Sequence, residues 1–379
     1  MKWEKVKLGD ICKYVTSGGT PKSSIKEYYE PKQIPWLKTK EVNYCRIYET
    51  ESYISKDGLD NSSAKMIPQN SVIVAMYGQG DTAGRVAINK IPLTTNQACC
   101  NLIIDETKAY YEFVYYQLVT LYEKMVSLKN GGAQPNLNAA IIKSIEIKLP
   151  PLKTQRYIAD ILSSYDNLIE NNQKQIKLLE EAAQRLYKEW FVDLRFPGHE
   201  NTKIVDGVPE GWSRGLLKEL ISVNYGKDHK KAPDDGNIPV YGSGGLMRKC
   251  NKSLFSGEAV LIPRKGSLNN IMYVDETFWT VDTMFYATMK QPHTAVFVYF
   301  FVKAFDMYSM NIGAAVPSMT AKILDAMDVV IPDKETLEKF DKREKVYFNK
   351  IKTLHGQNER LKTARDLLLP KLMSGEVKV

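Results

Sequence analysis

A glycine-rich run is the part of the sequence that comes nearest to a cofactor-binding motif. The residues Gly78-Gln79-Gly80-Asp81-Thr82-Ala83-Gly84 resemble the pattern that cradles a dinucleotide, but the run is one residue too long. That motif must also open a helix, whereas residues 85–91 have the short apolar pattern of a strand. We therefore interpret the run as a glycine turn between two strands.

Other patterns that would indicate catalysis or metal binding are absent or incomplete. There is no Walker A sequence, the four histidines form no HExxH, and the five cysteines form no CxxC pair. Neither a metal site nor a disulfide framework is therefore expected. The residues concerned are His199, His229, His293 and His355, with Cys12, Cys45, Cys99, Cys100 and Cys250.

Two elements near residue 150 also fall short of catalytic motifs. An amino-methyltransferase would show Asn or Asp before a double proline, but Leu149 precedes Pro150-Pro151. Glu146 and Lys148 form half of a nuclease-like metal motif without the Pro-Asp that should precede it. Their alternation is typical of the solvent face of a strand. We predict a protein with no catalytic, cofactor-binding or metal-binding residues of its own.

Composition sets limits on partner and compartment. Lys plus Arg is 52 and Asp plus Glu is 44, and this excess of +8 permits a nucleic-acid partner without requiring one. The excess lies in residues 1–150 and 333–379, whereas residues 151–332 are neutral overall. The apolar run 296–302 is far shorter than the roughly 20 residues that span a bilayer. No signal peptide is visible, so we expect a cytoplasmic location.

Two long helices are predicted from heptad spacing. Residues 153–191 contain no Gly or Pro, and Thr154 is placed to cap the helix after Pro150-Pro151. Their apolar positions step by three and four, which indicates a coiled-coil seam. The first seam comprises Ile158, Leu162, Tyr165, Ile169, Ile176, Leu179, Ala183, Leu186 and Trp190, interrupted by Asn172.

Adding 182 to each position gives a second seam near the C-terminus, in which seven of the ten residues are apolar. A helix of about 55 Å needs a partner along its length, so we predict that the two pair antiparallel. Asn172 and Asn358 either fix the register of the pair from buried positions or lie at a wet, frayed part of the seam. The second seam comprises Phe340, Glu344, Tyr347, Ile351, Leu354, Asn358, Leu361, Arg365, Leu368 and Leu372.

The duplication extends beyond the helices. Trp3 and Leu8 recur as Trp212 and Leu217 at an offset of 209, so the second globular part is about 27 residues shorter than the first. The segments are 1–150 (globular), 151–196 (helix), 197–332 (globular) and 333–379 (helix and tail). Short β-branched runs bounded by Gly, Asn and Pro occupy both globular parts, with helical stretches near 110–128 and 295–310. We predict an α+β fold with mostly antiparallel strands and a pseudo-twofold internal repeat.

Three segments carry a resemblance to a known family. These are Leu149-Pro150-Pro151-Leu152 with Gln155 and residues 158–162, then Val208-Pro209-Glu210-Gly211-Trp212, and finally residues 367–376, LLLPKLMSGE. Together with the repeat, they resemble the DNA specificity subunits of type I restriction-modification systems. The chain departs from that family at position 154, where the family often has an acidic residue and this chain has Thr154. It also departs in the second copy, where Pro332-Asp333 and Leu337 replace Pro150-Pro151 and Gln155.

The resemblance implies a non-catalytic subunit that reads a split double-stranded DNA target with two target-recognition domains. The two long antiparallel coiled-coil helices would separate these domains and set the unread gap. Partner modification subunits would use S-adenosylmethionine to methylate adenine N6, and a motor-nuclease subunit using ATP and Mg²⁺ would join for restriction. From the residues alone, a coiled-coil adaptor that binds protein remains an alternative, as does a stand-alone methyltransferase.

Polar residues in glycine-flanked loops are the candidate DNA contacts. Arg and Lys suit guanine or phosphate, and Asn and Gln suit adenine. Tyr77 and Trp279 either stack on bases or pack in the core. The candidates are Gln79, Arg85, Gln134 and Asn136 in the first globular part, and Lys227, Lys230, Lys231, Arg248, Lys249, Arg264, Lys265 and Asn269 in the second.

Overall fold

The computed structural model describes residues 3–129, 136–310 and 318–377. The chain forms two compact units. The first contains Met1–Asn171 together with Gln357–Val379, and the second contains Asn172–Gly356. Each long helix therefore contributes residues to both units. The four segment boundaries proposed above remain predictions.

The first unit is built on a five-stranded sheet in the order β2-β9-β6-β7-β4, in which only the β4–β7 pair is parallel. A three-stranded sheet, β5-β3-β8, and the antiparallel pair β1–β10 complete it. The strands are β1 Glu4–Lys7, β2 Cys12–Ser17, β3 Ile34–Leu37, β4 Cys45–Ile47, β5 Tyr53–Ile54, β6 Val72–Ala75, β7 Val86–Asn89, β8 Thr94–Thr95, β9 Cys99–Ile104 and β10 Glu146–Leu149.

Helices cover this sheet and close its core. Every residue of β6, β7 and β9 is buried, because these strands lie inside the sheet between packed layers. Asn138 caps α4 by accepting a hydrogen bond from the backbone N–H of Ile141. The helices are α1 Lys56–Asp60, α2 Tyr111–Thr120, α3 Tyr122–Ser127, α4 Ala139–Ser144 and α5 Leu152–Tyr187, the last extended by a π-helical turn over Lys188–Val192.

The second unit repeats this plan around a six-stranded sheet in the order β14-β19-β17-β18-β15-β16. Its β13–β20 pair corresponds to β1–β10 of the first unit, and both pairs are antiparallel. The strands are β11 Ile204–Val205, β12 Val208–Pro209, β13 Ser213–Leu216, β14 Ile221–Tyr225, β15 Ile238–Gly242, β16 Gly245–Cys250, β17 Phe255–Pro263, β18 Met272–Thr280, β19 Met284–Met289 and β20 Asp328–Ile331; the helices are α6 Ala295–Lys303, α7 Ala321–Asp325 and α8 Lys334–Ser374.

Within each unit, α5 and α8 pack antiparallel, as predicted. In the first unit Ile158 and Leu162 share a core with Leu369 and Leu372, and in the second Trp190 packs against Phe340. The predicted seam residues divide into two groups. Apart from the two asparagines, those buried are Ile158, Leu162, Ile169, Ile176, Ala183, Trp190, Phe340, Glu344, Leu354 and Leu372; those half-buried are Tyr165, Leu179, Leu186, Tyr347, Ile351, Leu361, Arg365 and Leu368.

The two seam asparagines are both buried, Asn172 at 7 % exposure and Asn358 at 4 %. Their burial favours the interpretation in which they fix register and argues against a wet, frayed seam. None of the helices in the described ranges combines the length and the apolar composition that crossing a membrane requires.

Candidate nucleic-acid interface

Three basic residues of the second unit gather around the turn at 281–283. The backbone N–H groups of Arg264 and Lys265 donate to the carbonyl of Thr283 at 2.8 and 3.3 Å, and that of Lys227 donates to Thr280 at 3.0 Å. The side chains of Lys227 and Lys265 are exposed. We call Lys227, Arg264 and Lys265 the basic edge. Its charges come from loops that follow β14 and β17, which are separated in sequence.

The Arg264 guanidinium packs against two aromatic rings. Its Cζ lies 5.1 Å from the ring centre of Tyr225 and 5.2 Å from that of Phe285, and Nη1 donates to the carbonyl of Asp282 at 3.0 Å. Its Nε is buried and has no hydrogen-bond partner within the described residues. Tyr225 remains 54 % exposed. This cation–π packing fixes the direction of the guanidinium. Tyr225 is not among the residues predicted from the sequence, where its only signal is its place before Gly226.

An exposed apolar hairpin tip lies beside the basic edge. Leu246 and Met247, at the start of β16, are 60 % and 54 % exposed. The tip is joined to the loop after β17, because Asn270 donates to the carbonyl of Ser243 at 2.8 Å. Apolar side chains between cations can contact thymine methyl groups or wedge between bases. Neither residue is among those predicted from the sequence, although Gly244-Gly245 before them indicates a turn.

Two other candidates in the second unit have intramolecular partners. Arg248 donates to the carbonyls of His229 and Ala232 and pairs with Asp234, and so holds the loop that carries Lys230 and Lys231. Asn269 donates to Asp306 and accepts from the backbone N–H of Met307. Base contact by either residue would compete with these bonds and remains a prediction. Lys230, Lys231 and Lys249 are exposed.

In the first unit, two candidates lie beside the end of β6. Gln79 is exposed in the loop after that strand, and Asn136 adjoins Leu137, whose N–H donates to the carbonyl of Met76 at 3.0 Å. Arg85 is tied to Asp81 at 2.5 Å and to Asn43 at 2.9 Å. These two bonds hold Arg85 within the turn. The candidate Gln134 lies outside the described residues.

The same contact recurs in the second unit. The N–H of Met319, which stands 182 residues after Leu137, donates to the carbonyl of Arg264 at 2.9 Å. The loop after β6 and the loop after β17 are therefore equivalent in the repeat. Both carry candidate DNA contacts, Gln79 in one and Lys265 in the other. This equivalence joins residues that have different chemistry and no visible sequence match.

The remaining sequence interpretations concern packing. The glycine-rich run is a turn between the antiparallel strands β6 and β7, as predicted. Trp279 is buried and donates from Nε1 to the carbonyl of Lys227, and Tyr77 packs against the core of the first unit. No cluster that could hold a metal ion occurs among residues 3–129, 136–310 and 318–377. Burial raises the pKa of the Cys12 and Cys100 thiols to about 12, so both remain protonated at neutral pH.

Comparison with known proteins gives the class. The family model described as "Type I restriction modification DNA specificity domain" matches residues 1–181 and 209–363. The chain belongs to this family. It is a DNA specificity protein of the type I restriction-modification class, as the sequence resemblance indicated.

Individual relatives match along the whole chain. The MjaIX specificity subunit of Methanocaldococcus jannaschii is 28 % identical over 423 residues, covering 100 % of this chain and 94 % of the relative. The HindI specificity subunit of Haemophilus influenzae is 22 % identical, covering 99 % of each. The crystal structure of a type I S subunit from M. genitalium covers 98 % of this chain and 96 % of its own, with a TM-score of 0.66 at 19 % identity. That structure supports the fold.

Proposed function

We propose that each unit reads one half of a split double-stranded DNA target and that α5 and α8 set the unread gap between the halves. The observation that carries this proposal is the repeat-equivalent pair of loops after β6 and β17, each with exposed polar or basic side chains. Two similar readers on one chain suit a target with two parts.

The second unit would meet DNA through the basic edge. Lys227 and Lys265 are exposed and would contact phosphates, which position a protein on duplex without specifying sequence. Leu246 and Met247 would face base edges. This assignment explains how a segment with no net charge, residues 192–332, could bind a polyanion: its cations are local.

The chain itself would do no chemistry. In this proposal, partner modification subunits supply S-adenosylmethionine and methylate adenine N6, and a motor-nuclease subunit supplies ATP- and Mg²⁺-dependent cleavage. Burial raises the pKa of the Cys12 and Cys100 thiols to about 12, which disfavours the thiolate that nucleophilic chemistry needs.

The test is footprinting of the complex reconstituted with its modification subunits. We expect two protected half-sites separated by an unprotected gap, with binding that weakens steeply as salt rises. A single contiguous footprint would contradict the two-reader proposal. DNA binding that does not change with salt, or binding to a partner protein but not to DNA, would favour the adaptor alternative. Transfer of labelled methyl groups by the isolated chain would contradict the non-catalytic role.

A further inference from the structure

In the first unit, the sheet presents a buried cation to α5. Arg46 on β4 has a side chain only 5 % exposed. Its Nη1 donates to Oδ1 of Asn167 at 2.6 Å and lies 3.5 Å from Oε1 of Glu170. Tyr48, which follows β4, donates to Oε2 of Glu170 at 2.9 Å. At this junction the globular part is positive and the helix is negative.

A second cation strengthens the positive side of the junction. Lys90, directly after β7, lies 2.9 Å from Oε1 of Glu112, and Nη2 of Arg46 lies 3.7 Å from the same oxygen. Glu112 therefore bridges Arg46 and Lys90 within the globular part. From the long helix, Asn167 and Glu170 accept hydrogen bonds from Arg46, and the nearby Asp166 carboxylate adds negative charge.

In the second unit, the polarity is opposite. Lys345 on α8 lies 3.2 Å from Oε1 of Glu258 on β17. Further along the helix, Lys352 donates to the backbone carbonyl of Asp275 on β18 at 3.0 Å. Here the sheet presents carboxylate and carbonyl oxygens to two ammonium groups of the helix. Asp341 of the same helix also lies 2.9 Å from Lys345 and 2.8 Å from His293, so the reversal holds for the contacts with β17 and β18.

The reversal occurs at equivalent helix positions. Glu170 and Lys352 are related by the 182-residue offset of the repeat. The same offset relates Asp166 to Phe348. Asp166 accepts a hydrogen bond from Tyr116, whereas Phe348 packs edge-on against Tyr299 with ring centres 5.8 Å apart. The same places on the two helices therefore contact their globular parts through chemistry that does not interchange.

We infer that this opposite polarity determines which globular part each helix can carry. The first globular part on α8 would set Arg46 against Lys352, and a guanidinium so little exposed is poorly screened from a like charge. The second part on α5 would leave Glu258 without Lys345, since the equivalent residue is Ser163. If each unit reads one half-site, as proposed above, this matching also fixes the order of the two half-sites along the chain. This consequence alone depends on the proposed function.

A double-mutant cycle in the full chain tests the match at the first junction. Arg46→Glu and Glu170→Lys should each lower the thermal unfolding midpoint by roughly 3–8 °C. The double variant should melt above the Arg46→Glu variant, because the charges at positions 46 and 170 are again opposite, while the repulsion from Glu112 is the same in both. The control is Glu180→Lys on the same helix, where the side chain is exposed, and it should leave the midpoint within about 1 °C. A double variant no better than the worse single variant would overturn the inference.

A domain exchange tests the match between parts and helices. Residues 4–149 replace residues 213–331, so that the first globular part is also carried by α8. In this chimera Lys352→Glu should raise the unfolding midpoint, whereas in the natural chain it should lower it. The control is Lys350→Glu, which is exposed and should do neither. Absence of this change of sign would contradict the inference. If the chimera does not fold with either residue at 352, the double-mutant cycle decides. Neither readout involves DNA, so failure here is distinct from failure of the proposed function.

Discussion

The Arg365 guanidinium on α8 lies 2.5 Å from the Asp166 carboxylate on α5, within the first unit. The other oxygen of Asp166 accepts a hydrogen bond from Tyr116 on α2. One carboxylate thus joins both long helices to the globular part. Arg365 is a seam position of the heptad series but Asp166 is not, so sequence periodicity alone does not reveal the contact between them.

Replacing Arg365 should therefore destabilise the first unit. Arg365→Met leaves the Asp166 carboxylate, which is 13 % exposed, without its cation, and we expect a loss of about 2 kcal/mol in the free energy of unfolding. Urea denaturation monitored by circular dichroism measures it. The control is Lys362→Met, which loses only an exposed pair with Glu359. A loss no larger than that of the control would contradict this role.

Glu344 should make the second unit sensitive to pH. It is fully buried in α8 with no hydrogen-bond partner among the described residues, and burial raises its pKa from 4.5 to about 8. Because the folded state holds the proton more tightly, stability should fall as pH rises from about 4.5 to about 8, by up to about 1.4 kcal/mol per pH unit.

Glu344→Leu restores the residue type at the equivalent position, Leu162, and should remove this slope and stabilise the protein at pH 8. Urea denaturation between pH 5.5 and 8.5 measures both effects. Glu338→Gln, an exposed carboxylate on the same helix, serves as control and should leave the slope unchanged. An unaltered slope in Glu344→Leu would show that other groups cause it.

The basic edge should contribute to the salt dependence of DNA binding. Lys227→Ala and Lys265→Ala should each weaken binding to all sequences and reduce the slope of log K against log salt by about one. Titration of the complex with labelled duplex at several salt concentrations measures this. Lys350→Ala serves as a control because it lies on α8, outside the basic edge. Slopes equal to that of the control would show that Lys227 and Lys265 do not contact the DNA.

The hairpin tip should affect sequence discrimination more than affinity. Leu246 and Met247 are exposed, so changing both to Ala should leave the unfolding midpoint within about 1 °C. We expect the ratio of specific to non-specific binding to fall about tenfold, in line with the 1–3 kcal/mol that a base contact contributes. Competition between target and scrambled duplex measures the ratio. An unchanged ratio would show that the tip does not meet bases.

Helix length should set the unread gap. One heptad inserted after Lys174 in α5 and another after His355 in α8 adds about 10 Å to each helix, or about three base pairs of duplex. Mapping methylated adenines on a library of target spacings should show the same half-sites with a longer gap. Insertion into α5 alone breaks the pairing register and should abolish methylation. Unchanged spacing in the double insertion would contradict the proposal that helix length sets the gap.

Local pattern was sufficient for the two helices and their pairing. Side chains three and four residues apart share one face of a helix, so heptad spacing alone predicts that Ile158, Leu162 and Phe340 are buried. Composition and motif spacing likewise indicated that the glycine-rich run is a turn. The repeat and three short segments identified the family before any contact was known.

Local sequence pattern does not predict contacts between residues that are far apart in the sequence. Arg264 meets Tyr225 because β14 and β17 both pair with β19, which brings residues 39 positions apart over one ring of Phe285. Heptad spacing predicts which face of the helix carries Glu344 but not what surrounds its side chain. It also does not predict which charges Arg46 and Lys345 meet. Periodicity follows from the geometry of one chain segment. Strand register and charge pairing follow from which segments meet, and only the packed chain determines that.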